Sequence, residues 1–393
     1  MSQAFPRGLR RPSWPALAWL GVLVIALVLG VVLAGNSDAG NTDVRTATDL
    51  PASSSGPLPG RVSPLWAVDA AVDDQQSVAS GTVITSNEHG VRGLDPLTGD
   101  ERWHYLRPNA TMCDLTVLVD VVVAIFKTTG RCNEAVALEA GTGVRRWYRN
   151  VDFSDELSML GSGTAALAAT PGGIAVLDAV GNSIRWRYNP PQGCELSSIG
   201  IGISGVVVLE RCTSGTTWLA EFALESGDQK WRVAPPPGEV TVLGADGVVS
   251  LLVGQQLTTL SARDGSLLST VTTAPESDGS SESAATMFAG QPGGQGVPLV
   301  YLAGWLYAID PAGGAQLWSV AATGLAANGD SAVVVPEAGA FVTRNLVTGE
   351  EIARSPIGDA SGSQEGGLEG LVRVELAGSV LIAVTQNGLV SYG

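Results

Sequence analysis

The four cysteines are the side chains of this 393-residue chain best suited to chemistry, and they lie at Cys113, Cys132, Cys194 and Cys212. Four cysteines could bind zinc or form two disulfide bonds. Zinc sites in proteins usually show a C-x-x-C step or histidines at ligand spacing. No such step is present, and the only two histidines, His89 and His104, form no ligand cluster. The sequence therefore favours disulfide bonds and predicts no metal site.

Acidic residues recur at a fixed distance before a tryptophan. The pairs, each eight residues apart, are Asp95–Trp103, Glu139–Trp147, Asp178–Trp186 and Asp310–Trp318. Carboxylates can serve as general acids, general bases or Ca²⁺ ligands. Here they belong to a repeated unit and precede a glycine-containing turn each time, so we interpret them as caps of that turn. No serine–histidine–aspartate set, phosphate-binding loop or dinucleotide fingerprint stands in a supporting context, and no catalytic residue is assigned.

The turn and the tryptophan together form a repeat that covers most of the chain. The tryptophans of the repeat are Trp66, Trp103, Trp147, Trp186, Trp231 and Trp318, while Ser269 and Ala353 take this position in two decayed copies. The turn glycines, four residues earlier, include Gly99, Gly143, Gly227, Gly314 and Gly349. Seven steps separate residue 66 from residue 353, about 41 residues per step. A period of about 40–45 residues with several strands per unit is typical of a β-propeller.

Each repeat reads as short apolar strands separated by glycine-rich turns, and no sustained helical period follows residue 35. We therefore predict an all-β fold in which the tryptophans pack between adjacent blades. The chain ends on the inner strands of a unit, VLIAVTQNGLVSYG at 380–393, and residues 64–69 are a tryptophan strand without inner strands. The two fragments complete each other and predict eight blades. Seven blades are the alternative if the weak repeat near 247–271 is not a full blade.

The repeat also predicts how the cysteines pair. Cys113 and Cys132 flank the first apolar hairpin of one unit, and Cys194 and Cys212 do the same two units later. A disulfide needs Cα atoms about 4.4–6.8 Å apart, which residues of non-neighbouring blades cannot meet. We therefore predict the bonds Cys113–Cys132 and Cys194–Cys212. Disulfide bonds also agree with export, because the cytosol keeps thiols reduced.

The N-terminal region differs from the repeats and predicts a membrane anchor. Residues 16–34 carry no charge and are long enough to span a hydrocarbon core of about 30 Å, and arginines precede them. By the positive-inside bias, residues 1–15 form a cytoplasmic tail, and the remainder lies outside the cytoplasm. A cleaved signal peptide is the alternative. Residues 35–61 are rich in Ser, Pro and Gly and predict a flexible linker, followed by the propeller at 62–393.

The composition excludes one class of partner. The net charge is −16, and lysine and arginine number 22 against 38 acidic residues. Nucleic-acid binding requires clustered basic side chains, so no nucleic acid is expected.

The pattern D-x-x-T-G-x-x-x-W, clearest in Asp95–Trp103, resembles the tryptophan-docking repeat of quinoprotein-type (PQQ-like) propellers. The resemblance covers about residues 62–393. The enzymatic branch of that superfamily would need pyrroloquinoline quinone, Ca²⁺ and an aspartate base, and many members have a disulfide between adjacent cysteines. The chain has no Cys-Cys pair and no run of alternating acidic Ca²⁺ ligands, so no cofactor is expected.

The non-enzymatic branch includes the eight-bladed lipoprotein of the outer-membrane β-barrel assembly machine. This chain resembles it in repeat type, blade number and export, but no cysteine precedes Cys113 to carry a lipid. The resemblance implies a non-enzymatic propeller that serves as a scaffold for unknown envelope proteins, and residues 16–34 predict that a single membrane span anchors it. Two alternatives are a ligand-sensing propeller and a quinone-dependent dehydrogenase.

Overall fold

A ring of eight antiparallel β-sheets forms the described part of the molecule. The computed structural model describes residues 14, 19–20, 22–27, 38–51, 56–73, 75–128, 130–271, 296–329, 331–358 and 370–393. A 3₁₀ helix, Asp38–Asn41, precedes the strands. Within the described residues no helix is long and apolar enough to cross a membrane. The predicted transmembrane segment, 16–34, lies largely outside these residues.

The blades follow one another along the chain, and their strands run in sequence order from the innermost to the outermost. Blade 1 contains β3 (Val78–Ala79), β4 (Thr82–Asn87), β5 (Gly90–Leu94) and β6 (Glu101–Leu106), with β1 (Asp43–Arg45) added outside β6. Blade 2 contains β7 (Thr111–Val117), β8 (Val121–Lys127), β9 (Cys132–Glu139) and β10 (Arg145–Phe153). Blade 3 contains β11 (Ser158–Ser162), β12 (Ala165–Thr170), β13 (Gly173–Asp178) and β14 (Ser183–Tyr188). Blade 4 contains β15 (Cys194–Ile201), β16 (Val206–Cys212), β17 (Thr217–Phe222) and β18 (Gln229–Val233).

The second half of the ring repeats this order. Blade 5 contains β19 (Val240–Asp246), β20 (Val248–Val253), β21 (Gln256–Ser261) and β22 (Leu267–Val271). Blade 6 shows three strands among the described residues, β23 (Leu299–Leu302), β24 (Trp305–Ile309) and β25 (Gln316–Ala321). Blade 7 contains β26 (Ala327–Asn328), β27 (Ala332–Glu337), β28 (Ala340–Asn345) and β29 (Glu351–Pro356). Blade 8 contains β30 (Leu371–Ala377), β31 (Val380–Thr385), β32 (Gly388–Tyr392) and, as its outer strand, β2 (Pro64–Val68).

The N-terminal strand β2 closes the ring on the C-terminal strand β32. The two strands are antiparallel, with Ala67 opposite Val390 and Val68 opposite Leu389. The eight-bladed propeller predicted from the sequence is thereby confirmed, and the repeat near 247–271 is a full four-stranded blade. The pairing covers the edge of β32, which would otherwise be exposed.

The hydrophobic core is divided into eight clusters, one between each pair of neighbouring blades. Strand β8 shows how the sequence produces this division. Val121, Val123 and Ile125 pack towards blade 3. Val122 and Ala124 pack towards blade 1. Because successive side chains of a strand point to opposite faces, a strand buried on both faces reads as the continuous apolar run VVVAIF.

Part of the predicted linker is folded onto blade 1. Residues Asp43–Arg45 pair with β6 in antiparallel register. The amide of Ala47 then donates to the carbonyl of Thr142 at 2.9 Å. The structure thus differs from the fully flexible segment expected for 35–61, because the outer edge of β6 offers unpaired backbone groups that a polar strand can satisfy.

Candidate functional site

The repeat tryptophans join six of the eight blades to the next. The indole nitrogen of Trp103, a fully buried side chain, donates to the carbonyl oxygen of Ala140 at 2.9 Å, in the turn of the following blade. The equivalent bonds are Trp66 to Pro96, Trp147 to Ala179, Trp186 to Leu224, Trp231 to Ala262 and Trp318 to Leu346, at 2.7–3.2 Å. Each indole therefore provides apolar packing and one directed hydrogen bond between two sheets.

The turn glycine is required for two reasons, which Gly143 illustrates. Its φ is +71°, a region that residues with a side chain rarely adopt. A Cβ atom at this position would lie 2.6 Å from the ring of Trp103. Gly99, Gly227 and Gly349 face the tryptophan of the preceding blade in the same way, whereas Gly314 faces Thr259 and Leu268, because Ser269 stands where blade 5 would have its tryptophan.

The third repeat departs from this rule. The residue four positions before Trp186 is Asn182, and its φ is +52°. Asparagine is, after glycine, the residue that most readily adopts this conformation. The turn does contain a glycine, Gly181, but it lies one position earlier, and the position equivalent to Gly143 is filled by asparagine.

Three of the four recurrent acidic residues, Asp95, Asp178 and Asp310, cap these turns through backbone amides, whereas the carboxylate of Glu139 accepts from the hydroxyl of Thr142 at 3.0 Å. Asp95 Oδ1 accepts hydrogen bonds from the amides of Leu97 and Thr98, at 2.9 and 3.2 Å. Asp178 and Asp310 bind the equivalent amides of their own turns, and Asn345 does so in blade 7. A short carboxylate or amide that accepts from the backbone two or three residues ahead is the standard cap of such a turn. These oxygens are engaged in holding the turn.

Two disulfide bonds join strands within blades 2 and 4. Cys113 of β7 is bonded to Cys132 of β9, and Cys194 of β15 is bonded to Cys212 of β16. Cys194 and Cys212 are direct cross-strand neighbours, whereas the other bond crosses over β8. These are the two pairs that the sequence spacing favours.

A buried polar cluster lies where the innermost strands of blades 8, 1, 2 and 3 meet. Glu375 of β30 accepts hydrogen bonds from the amides of Ser77 and Val78 at 2.8 Å and from the Ser77 hydroxyl at 2.7 Å. The guanidinium of Arg373 donates to the same carboxylate at 2.8 Å. Glu375 and Arg373 are both nearly inaccessible to solvent. The carboxylate of Glu375 therefore joins blade 8 to blade 1 through hydrogen bonds.

Asp73 continues this cluster towards blade 2. Its Oδ2 accepts from the amide of Val117 at 2.6 Å, and its Oδ1 accepts from the amide of Gln75 at 3.1 Å. Arg373 donates to the carbonyl of Asp73 at 2.6 Å. Burial raises the pKa of Asp73 to about 7, against the lowering effect of these amides and of Arg373.

Two further contacts extend the pattern to blade 3. Asp114 Oδ2 accepts from the amide of Met159 at 2.7 Å, and Gln75 Oε1 accepts from the amide of Gly161 at 2.6 Å. Each acidic side chain of the cluster thus accepts a backbone N–H from the next blade. The sequence motifs missed the cluster, because its members lie at opposite ends of the chain and no local spacing relates them.

Two shallow clefts accompany the innermost strands. One, of about 370 Å³, lies between blades 3 and 4 and is lined by Ser158, Leu160, Thr170, Leu196 and Ser197, among others. The other, of about 200 Å³, lies between blades 8, 1 and 2. Neither contains the acidic residues of the polar cluster.

The donor set does not fit the quinone and Ca²⁺ that the enzymatic branch of PQQ-like propellers would require. Ca²⁺ needs six to eight oxygen ligands that are free to coordinate it. The central carboxylates, Asp73, Asp114 and Glu375, are already directed at backbone amides. In the described part of the chain no group of three or more His, Cys, Asp or Glu side chains could hold a metal ion.

The comparisons with known proteins agree with this architecture. A family profile described as outer membrane protein assembly factor BamB matches residues 170–332. The crystal structure of BamB from Moraxella catarrhalis is similar, with 17% identity, a TM-score of 0.50, and coverage of 84% of this chain and 99% of that one. The computationally designed Ika8 protein has 14% identity and a TM-score of 0.55, with 84% and 98% coverage.

A third similar structure is a quinohemoprotein alcohol dehydrogenase from Pseudomonas putida, with 13% identity, a TM-score of 0.48, and coverage of 86% and 78%. A search of curated proteins gives no significant match. The fold and the docking tryptophans define the class: the chain is an eight-bladed β-propeller, and its residues 170–332 are similar to a family of PQQ-like repeats.

Proposed function

We propose that this propeller is a non-enzymatic protein-interaction module of the cell envelope. The observation that carries the proposal is the match of residues 170–332, which span blades 4, 5 and 6 and parts of 3 and 7, to the profile of an outer-membrane assembly factor. The geometry supports it, because the central carboxylates hold blades together and converge on no open site. A rigid ring of this kind presents loops and strand edges to other proteins.

Export and anchoring form part of the same proposal. Two disulfide bonds favour an oxidising compartment. The uncharged segment 16–34 supports a single membrane span with the N-terminus in the cytoplasm. In this arrangement the linker leads from the membrane to β1, and the propeller lies outside the cytoplasm with its partners.

Crosslinking in membranes tests the proposal. The full chain, carrying an affinity tag, is crosslinked in its own cells and purified under denaturing conditions. We expect discrete adducts with one or a few envelope proteins that a tagged, unrelated exported domain does not give. Recovery of the uncrosslinked chain alone would contradict the proposal.

Thermal unfolding distinguishes the enzymatic alternative from the proposed function. The full chain is heated with and without pyrroloquinoline quinone and Ca²⁺. A ligand present at about 100 times its Kd would stabilise the folded chain by about 2.7 kcal/mol. We expect no shift in Tm, and a clear shift would instead support a quinone-dependent dehydrogenase.

A further inference from the structure

The residue before each repeat tryptophan divides the propeller into two halves. In blades 1 to 4 this residue is basic, namely Arg102, Arg146, Arg185 and Lys230. In blades 5 to 8 the same position is apolar, namely Leu268, Leu317, Ile352 and Leu65. The change affects four consecutive blades on each side, and it alters the chemistry of the outer surface of the ring.

The basic residues are neutralised by neighbouring acids. Arg146 contacts Asp120 at 2.8 Å, and Lys230 contacts Glu221 at 2.6 Å. Arg102 and Arg185 contact acids in the same manner. The apolar residues instead face solvent, with exposed fractions of 37% for Leu268, 40% for Leu317, 60% for Ile352 and 43% for Leu65.

The outer strands also differ in charge, although the charged strand β29 lies in the second half of the ring. An outer strand presents unpaired backbone groups, and proteins protect such edges with charged residues, with proline or by covering them. β10, β14, β18 and β29 carry charged side chains, and β6 is covered by β1. β22, β25 and β2 carry none, and β2 begins with Pro64.

Among these strands, β22 is the least protected. Like β25, it contains no charge and no proline, but Leu267 is 64% exposed, against 40% for Leu317 of β25, and Thr270 is also exposed. It also lacks the repeat tryptophan, which Ser269 replaces. The equivalent strand of blade 4, β18, has Lys230 and Arg232 where β22 has Leu268 and Thr270.

The molecule itself shows what such an edge can bind. Strand β1 adds to the outer edge of β6 in antiparallel register, with Asp43 opposite Leu106 and Arg45 opposite His104. This segment precedes the repeats and has none of their sequence pattern, and only three of its residues pair with β6. A short extended segment is therefore sufficient to extend a blade of this propeller.

We propose that the outer edge of β22 binds an extended, uncharged segment of a partner protein as an added antiparallel strand. The inference rests on the proposed function as a protein-interaction module. Backbone hydrogen bonds would supply the binding, and alternate apolar side chains of the partner would contact the exposed leucines. An acidic segment is disfavoured because the chain as a whole carries −16, and β22 itself offers no charge that would pair with a side chain of either sign.

Site-specific photocrosslinking tests the location. A photoreactive residue is placed at Leu267 or, as the matched control, at Gln229, which occupies the same place in β18. Both variants are expressed as full chains in their own cells. We expect a strong adduct with one envelope protein from position 267 and little or none from position 229. The crosslinked segment of that protein is then identified by mass spectrometry.

Binding of a synthetic peptide with that segment's sequence tests the mode. Leu267→Lys should weaken binding to the purified full chain about tenfold or more, since the interface would enclose an unpaired charge, whereas Gln229→Lys should change it less than about twofold. Two N-methylated peptides are compared, one methylated at the odd-numbered amides and one at the even-numbered amides. Only one of them should lose binding, because only alternate amides of the peptide point towards β22.

The remaining outcomes overturn the inference in distinguishable ways. Adducts from other surfaces, or equal adducts from both strands, would contradict binding at the edge of β22 and leave the proposed protein-interaction function in place. An adduct with a second copy of this chain would show that the β22 edge mediates self-association and would contradict the binding of a different protein there. No adduct from either strand or from the general crosslinking of the tagged chain would contradict both proposals.

Discussion

A single atom separates the glycine of the docking turn from alanine, and Gly143 shows what that atom would contact. Both its φ of +71° and the 2.6 Å approach to Trp103 exclude a Cβ atom. Gly339 has a similar φ, +74°, but nothing lies within 4 Å of its missing Cβ. Comparing Gly143 with Gly339 therefore separates the cost of a positive φ from the cost of a contact with Trp103.

We expect Gly143→Ala to destabilise the propeller more than Gly339→Ala. Gly339→Ala should cost about 1–2 kcal/mol for the unfavourable φ. Gly143→Ala should cost a further 1–3 kcal/mol or so, the usual range for overpacking. Denaturant unfolding of both variants measures the difference, and equal losses would mean that Trp103 moves aside without cost.

Asp73 predicts a dependence of stability on pH. Its pKa is raised by burial to about 7, and the pKa of Asp246 is raised to about 6 by the same cause. Between about pH 4 and these values the folded chain retains protons that the unfolded chain has released. The contribution of both groups to stability is therefore present at low pH and is lost as pH rises. The charged neighbours of Asp73 are Arg373, which opposes this shift, and Asp114, which adds to it.

The test compares unfolding free energies between pH 4.5 and 8. The wild-type free energy should contain a component that falls with rising pH, and Asp73→Asn should make that slope less negative. Asp100→Asn, in an exposed turn, changes the net charge equally and should leave the slope unaltered. Identical slopes in the wild type and Asp73→Asn would show that the carboxylate stays ionised throughout.

At the scale of elements, the two disulfide bonds have different topologies but close loops of similar length. Cys113–Cys132 crosses over β8, whereas Cys194–Cys212 joins directly paired strands. The sequence separations are 19 and 18 residues. If a disulfide acts mainly by restricting the unfolded chain, its effect depends on loop length and hardly on its place in the sheet.

We therefore expect Cys113→Ser/Cys132→Ser and Cys194→Ser/Cys212→Ser to lose similar stability, about 3 kcal/mol each. Thermal unfolding of the two double variants measures the losses. Mass spectrometry of the unreduced wild type, with no free thiol detected, provides the control. A markedly larger loss for one pair would indicate that native-state packing dominates.

The sequence predicts elements well where a local pattern repeats, and poorly where tertiary contacts create the element. The tryptophan spacing indicates the blades because six of the eight blades use the same docking contact. Strand β1 has no such pattern, and only the edge of β6 makes Asp43–Arg45 a strand. The polar cluster is hidden for a related reason: Arg373 and Asp73 are 300 residues apart in sequence and meet only when the ring closes.

At the scale of the whole molecule, closure depends on one short strand. β2 supplies the outer strand of blade 8, and Trp66 donates its indole N–H to Pro96 of blade 1 at 2.9 Å. The same boundary contains the bonds from Glu375 to Ser77 and Val78. Strand pairing, tryptophan docking and the buried carboxylate therefore act at a single junction, the one that joins the two ends of the chain.

Two truncations test the closure; both lack β1, and they differ in β2 and in the preceding residues, where Pro59 and Val62 contact blade 7. A chain that begins at residue 70 lacks β2, so β32 becomes an open edge and the indole of Trp66 is lost. We expect a loss of at least about 3 kcal/mol, the usual cost of removing a large packed ring, together with concentration-dependent association through the open edge. A chain that begins at residue 52 lacks β1 but keeps the closed ring, so it should retain a single cooperative transition close to the parent Tm. Scanning calorimetry and sedimentation measure both, and equal behaviour of the two chains would mean that the contacts of blades 1 to 7 hold the ring without its closing strand.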